Sequence, residues 1–221
     1  MCVTAAALGA PVAALVLRCG VPARVASLND GNHFTFDRDG ATADVLVDPD
    51  ASVVRAIDVR ADAPVTVTLP IEGTPHTFAF DRYDIARGDA DLASVADHAS
   101  DDRRTYRLDA AHELVLSFDP ATKRLTRIAF GERAALDRRA FTYVAPVAKH
   151  IAVPDGSGTQ ATIVRVDVDR EGIVRGVAVI VPSGDAAFDA ALARRLDDDR
   201  YEPARLASRP VAASVFRELR H

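Results

Sequence analysis

The chain has no tryptophan, one methionine, two lysines (Lys123 and Lys149) and two cysteines among its 221 residues. Each scarcity excludes something. Two cysteines, Cys2 and Cys19, with no CxxC spacing, leave no zinc framework, and no plausible base stands near either in sequence. Lysine and arginine total 27 against 32 acids, a formal charge of -5 with a pI near 5.7. That balance argues against a nucleic-acid binder, whose backbone contacts need net positive charge. The Arg194, Arg195, Arg200, Arg205 and Arg209 cluster is interleaved with Asp197, Asp198, Asp199 and Glu202, and reads as a salt-bridged surface.

No uncharged run is long enough for a comfortable membrane span. The longest, Val3 to Leu17, has no basic residues before it and is interrupted by Pro11. Three readings of residues 1–19 stay open: a clipped secretory signal, a buried first segment, or the cut edge of a longer protein. Cys19 is a poor lipid-attachment site, because Arg18 stands where a small residue is expected.

Chemistry-bearing motifs are missing too. There is no HExxH, no GxSxG and no glycine-rich phosphate loop. The histidines, His33, His76, His98, His112, His150 and His221, share no metal-like spacing. Gly156-Ser157-Gly158 lacks a strand-to-helix elbow. Asp37, Asp39 and Gly40 have some calcium-loop character without the full spacing or the terminal glutamate. The reading is therefore of a non-enzyme with no catalytic, cofactor-binding or metal residues.

What is there is alternation. At 48% hydrophobic and 27% charged residues the composition is that of a folded protein. Segments starting at Phe34 (FTFDRDGATADVLVDPDASVVRAIDV) and Tyr106 (YRLDAAHELVLSFDPATKRLTRIAF) read as diverged copies of strand, turn, strand, Asp-Pro turn, strand. Asp48-Pro49 matches Asp119-Pro120, where proline fixes φ and aspartate bonds nearby backbone. Between them, Val65 to Leu69 and His76 to Phe80 read as a hairpin around Glu72-Gly73. Ala90 to Ala99 reads as a short helix bearing Leu92, Val95 and Ala96. The expectation is one strand-rich α+β domain over residues 20–135 with an internal duplication, then a linker over 136–158.

Residues 159–221 read as β-β-α-β. Val164, Val166 and Val168 alternate before the Glu171-Gly172 turn, and Val177, Val179 and Val181 after it. Phe188, Leu192 and Leu196 recur at helical spacing behind Asp185, a fitting N-cap. Val211, Ala213, Val215 and Arg217 then alternate in a closing strand. Tyr201 offers an aromatic body to the core, while the DDDR run before it closes the helix in solvent. Pro203 stops the helix and Pro210 admits the last strand.

This stretch, residues 159–220, resembles the C-terminal domain of the TonB energy-transducer family. The resemblance rests on the hairpin at Gly172, Ser183-Gly184 before a helix bearing Phe188, Tyr201-Glu202-Pro203-Ala204, and Arg209-Pro210-Val211. It implies that Gly172, Ser183, Gly184, Phe188, Tyr201, Pro203 and Pro210 are structural. It also implies a Gram-negative periplasmic or cell-envelope location and a protein partner, such as an outer-membrane receptor in transport. That partner would add a strand at the edge formed by Val211, Ala213, Val215 and Arg217. The tryptophan-arginine pair common before the family's tyrosine is Asp199-Arg200 here. Residues 20–135 faintly resemble outer-membrane assembly lipoproteins of the SmpA type. The alternative reading is an envelope-binding or hydrolytic protein whose activity lies in residues 20–135, recruited by the C-terminal module.

Overall fold

The computed structural model describes residues 8–38, 40–49, 52–72, 74–136, 143–153, 156 and 160–221. Its elements in chain order are α1 (Val12–Cys19), β1 (Arg24–Leu28), β2 (Gly31–Arg38), β3 (Ala41–Val47), β4 (Val54–Ala61), β5 (Thr66–Ile71) and β6 (Thr74–Ala79). Next come α2 (Ile85–Asp91), a 3-10 turn at Ala93–Val95, β7 (Ala96–Ala99), β8 (Arg103–Arg107), β9 (His112–Phe118), β10 (Leu125–Glu132) and α3 (Arg133–Leu136). The last are β11 (Tyr143–Val144), β12 (Val147–His150), β13 (Ala161–Val168), β14 (Val174–Val181), α4 (Ala186–Leu196), β15 (Arg200–Glu202), β16 (Ala204–Leu206), β17 (Arg209–Val211) and β18 (Ala213–Arg220).

Eight strands form one sheet in the order β1-β2-β3-β4-β10-β9-β8-β7. β14-β13-β18, β11-β16-β17, β12-β15 and the β5-β6 hairpin form smaller sheets. The chain clusters into two compact units. Of the described residues, one holds 8–10, 35–46 and 54–136; the other holds 11–34, 47–53 and 143–221.

In the first unit the alternation predicted from sequence is realised on β5, where Val67, Leu69 and Ile71 are buried and Thr66, Thr68 and Pro70 are exposed. β9 and β10 pair antiparallel, Leu116 opposite Ile128 and Leu114 opposite Phe130, all at most 1% exposed. β10 also pairs with β4, and Gly131 lies where these backbones crowd. A Cβ on Gly131 would fall 2.4 Å from the Arg55 carbonyl oxygen, so the close approach requires glycine.

In the second unit β13 is the central strand. It pairs with β14 through Val166 opposite Val177, and with β18 through Val166 opposite Val215. One face of this sheet packs Val164, Val166, Val168 and Val215 against Leu192 and Leu196 of α4 and Tyr201. Asp185 caps α4 as its sequence predicts, accepting from the backbone amides of Ala187 and Phe188. The opposite face includes Phe216, edge-to-face with Phe34 at 4.8 Å. α1 buries Val12, Leu15, Val16 and Cys19.

The expected fold class is corrected in two respects. Residues 34–59 and 106–130 are not two units of a duplicated domain. Their strands belong to one sheet, joined where β4 hydrogen-bonds β10. Nor do residues 159–221 form a separate TonB-type β-β-α-β domain. Their compact unit takes in 11–34 and 47–53 as well, held by Asn32 Nδ2 donating to Ser214 O and Ser214 N donating to Pro49 O.

Local expectations shift for physical reasons. The helix predicted at 90–99 forms earlier, at Ile85–Asp91, because Asp84 caps it through the Arg87 amide. Ala96–Ala99 is drawn into a strand beside β8. The linker predicted at 136–158 contains β11 and β12, which pair with β16 and β15. The Gly73 half of the Glu72-Gly73 turn, Asp39 of the calcium-like segment and Ser157-Gly158 lie outside the described residues.

Candidate ligand pocket

Within the first unit, β4, β5, β9 and β10 surround a pocket of about 430 Å³. Val54, Leu69 and Phe130, each 1% exposed, contribute its apolar wall, with Leu108 half-buried beside them. Glu72, Asp109, His112 and Glu132 supply the polar groups. The chain enters at Leu8 and Gly9, where Gly9 N donates to Val54 O at 2.8 Å.

Each polar residue is placed by local rules. His112 begins β9 directly opposite Glu132, which ends β10, so the first residue of one strand meets the last residue of the other. Asp109 sits in the turn before β9. Its carboxylate accepts from the amides of Ala111 and His112 at 2.7 and 2.8 Å and from His112 Nδ1 at 2.8 Å. These bonds, Ala111's first, hold the Asp109 carboxyl below the ordinary carboxylate range, so it stays charged. Arg55 Nε and Nη2 clasp Glu132 Oε2 at 2.9 and 2.5 Å, offsetting its charge. Glu72 stands in a left-handed turn at φ 50° and is exposed, with Ser94 Oγ 3.5 Å away. With Glu132 matched by Arg55, Glu72 and Asp109 give the rim a net negative character beside the apolar wall.

Sequence reasoning set His112 aside for lack of a partner at metal-like spacing. The signal that finds this pocket is the DAAH stretch: an aspartate three residues ahead of a histidine at a strand start is an Asx-turn that fixes both. No sequence rule brings Glu132 opposite His112 without the register of β9 on β10. Among the described residues, no group of three His, Cys, Asp or Glu side chains is arranged to hold a metal ion.

The other paired acids are structural in geometry. Asp58, 5% exposed, is held by Arg127 Nε at 2.8 Å and Arg60 Nη2 at 3.2 Å. Asp89 accepts from Tyr106 Oη at 2.9 Å and from Arg104 Nε at 3.1 Å. Asp199 is fully buried and takes Arg217 Nη1 at 2.6 Å. Asp199 therefore leaves the solvent in which Asp197, Asp198 and Arg200 of the DDDR run remain exposed. Burial pushes the Tyr201 hydroxyl up to about 12, so it remains protonated beside Asp199.

The residues singled out by the family resemblance fall as follows. Gly172 turns the β13–β14 hairpin at φ 83°, and Gly184 precedes α4 at φ 93°. Ser183 Oγ accepts from Asp185 N, and Phe188 is 40% exposed against His221 at 5.0 Å. Tyr201 is 4% exposed; Pro203 is half-buried; Pro210 is exposed on β17, opposite Arg205 in a hairpin turned by Ala207 and Ser208 at positive φ. Of the residues proposed as a strand-accepting edge, Val211 lies on β17, separate from β18. Ala213, Val215 and Arg217 are 5, 7 and 9% exposed, and Ser214 between them has both its backbone N–H and C=O bonded within the unit.

No family model matches the chain. No curated protein matches it. Solved structures similar to it include an extracellular protein containing an SCP domain from Bacillus anthracis, at 12% identity and a TM-score of 0.45, covering 63% of this chain and 49% of that one. Another is a cysteine-rich secretory protein from Staphylococcus aureus, at 12% identity and a TM-score of 0.39, covering 62% and 48%. The chain thus spans about half the length of each. These two structures are described as extracellular or secretory, and neither as an energy transducer. The TonB-type identity, the Gram-negative periplasmic location, the outer-membrane receptor and the role in transport are accordingly withdrawn, and with them the alternative in which a TonB-type module recruits an envelope-binding or hydrolytic domain. Among the described residues no helix is long and apolar enough to cross a membrane.

Proposed function

We propose that the chain is a non-catalytic binding protein whose first unit holds a small amphipathic cation: an ammonium or guanidinium group on an apolar body. The observation that carries this is the juxtaposition, in one pocket of about 430 Å³, of Val54, Leu69 and Phe130 with the carboxylates of Glu72 and Asp109. That volume lies within the ordinary range for small-molecule sites, where an apolar lining supplies affinity and a few polar groups fix orientation. Arg55 leaves Glu132 little charge to offer, so the cation is drawn to the Glu72 and Asp109 side. The reading of a non-enzyme is supported by how the acids are used. Asp58, Asp89 and Asp199 each hold a structural partner at hydrogen-bond distance. A general base instead needs an acceptor directed at substrate.

The test is a ligand series in calorimetry: phenylbutylammonium, the alcohol of the same skeleton, and phenylbutyrate. Saturable binding of the ammonium, weaker binding of the alcohol and none of the carboxylate is the expected order. Equal binding of all three, or of none, overturns the proposal.

A further inference from the structure

β14 is an outer strand of the β14-β13-β18 sheet, and its composition differs from that of the other edges. Exposed β-strand edges are ordinarily blunted by charge, proline or shortness, because their open backbone groups pair with any strand that arrives. β7, at the edge of the eight-stranded sheet, follows that rule: it is four residues long and carries Asp97 and His98. β18 follows it by another route, since the Ser214 amide and carbonyl bond to Pro49 and Asn32. Among the described residues β14 has neither of these two protections, although α1 and α4 pack against it. Gly176 to Val181 is a run of six uncharged residues, GVAVIV, with no proline inside it. The one charge on the strand, Arg175, is already turned back to Asp169 at 2.7 Å. Gly176, Val177, Ala178, Val179 and Ile180 are each only partly buried. Among the described residues β14 has one strand neighbour, β13.

We propose that a second copy of this chain covers the edge, β14 pairing antiparallel with β14 of its partner about a two-fold axis at Ala178. The strand is complementary to itself in this register. Val177 falls opposite the other copy's Val179, Ala178 opposite Ala178, and Gly176 opposite Ile180, so the largest side chain meets the residue with none. Arg175 falls opposite Val181, and no like charges oppose each other across the pair. Val177 and Val179 already pack against the Val164, Leu192 and Leu196 core. The pairing therefore continues an existing apolar face from one copy into the next and closes both edges at once. Such an isologous contact is the commonest route to a symmetric dimer.

The test is the mass of the intact chain by light scattering or sedimentation, followed by a charge exchange at the axis. Wild type is expected at twice 23.6 kDa. Ala178→Lys and Ala178→Glu place like charges directly opposite each other, and each alone is expected to run as a monomer with an unchanged circular dichroism spectrum. Mixing the two is expected to restore the dimer, a rescue that a misfolded variant does not give. A monomeric wild type at millimolar concentration overturns the proposal. So do single variants that remain dimeric, and a mixture that stays monomeric.

Discussion

Asp199 Oδ2 and Arg217 Nη1 meet at 2.6 Å with side chains 0 and 8% exposed, linking the segment after α4 to the closing strand β18. Asp199 Oδ1 accepts from the Ala152 amide at 2.7 Å, and Arg217 Nη2 donates to Val153 O at 2.5 Å. Two side chains thus fasten an otherwise irregular segment, residues 151–153, to the β13 sheet. Buried charges are tolerated when their remaining hydrogen bonds are satisfied, as they are here.

Removing one partner leaves the other charged and buried. Asp199→Ala is expected to cost about 3–5 kcal/mol, and Arg217→Ala a similar amount, read as denaturant midpoints. The double replacement Asp199→Leu with Arg217→Met should recover much of that loss, because no uncompensated charge remains. Additive losses in the double variant would show that the pair does not act as a unit.

Gly172 is fixed by two constraints. Its φ is +83°, and a Cβ there would fall 1.9 Å from the Tyr201 carbonyl oxygen, while the Gly172 carbonyl accepts from Tyr201 N at 2.9 Å. Gly172→Ala is expected to destabilise the fold by about 1–3 kcal/mol. At about 2–4 °C per kcal/mol for a chain of this size, the loss is visible in a thermal melt. Gly184→Ala meets open space and carries only the conformational cost, so it should lose less. Equal losses at the two sites would contradict the contact at Tyr201.

Acid should loosen the turns only below the ordinary carboxylate range. Asp119 accepts from the Thr122 and Ala121 amides, and Asp169 from the Ile173 and Glu171 amides; both carboxyls lie below their ordinary value for that reason. With the folded value lowered, this stabilisation is complete above the unfolded value of about 3.9 and is lost as pH falls through the folded value. A melting series from pH 6 to 2 is expected to fall more steeply for wild type than for Asp119→Asn/Asp169→Asn. Parallel curves would remove these turns from the acid response.

Much of the local fold was legible in the sequence, and particular residues show where legibility stopped. Asp185, the β13–β14 hairpin and the Leu192-Leu196 stripe are set by neighbours within a few residues, so spacing alone placed them. Asp119 likewise reads from the sequence as a turn former, its carboxylate bonding the Ala121 and Thr122 amides. The pairing of β4 with β10 depends on register between residues far apart in sequence, such as Asp58 and Arg127 at a separation of 69. A local pattern cannot encode that, and the two similar segments were taken for separate units. Asp199 shows the opposite difficulty. In an Asp-Asp-Asp-Arg run, charge density reads as solvent, and only the partner on a distant strand makes burial affordable. The candidate site was less legible than the fold. DAAH is a local signal for an anchored His112, but the pocket's apolar wall comes from three different strands and its negative rim depends on Arg55 offsetting Glu132.

The central claim is that the pocket beside Phe130 selects an apolar cation through Glu72 and Asp109. Glu72 is exposed, so its substitution tests charge with little effect on folding. Calorimetric titration of phenylbutylammonium into wild type and Glu72→Lys measures the claim directly. The account predicts one saturable site in wild type, at least tenfold weaker in the variant, with an unchanged melting temperature. Equal affinity in the two proteins, or no binding to wild type, would contradict it.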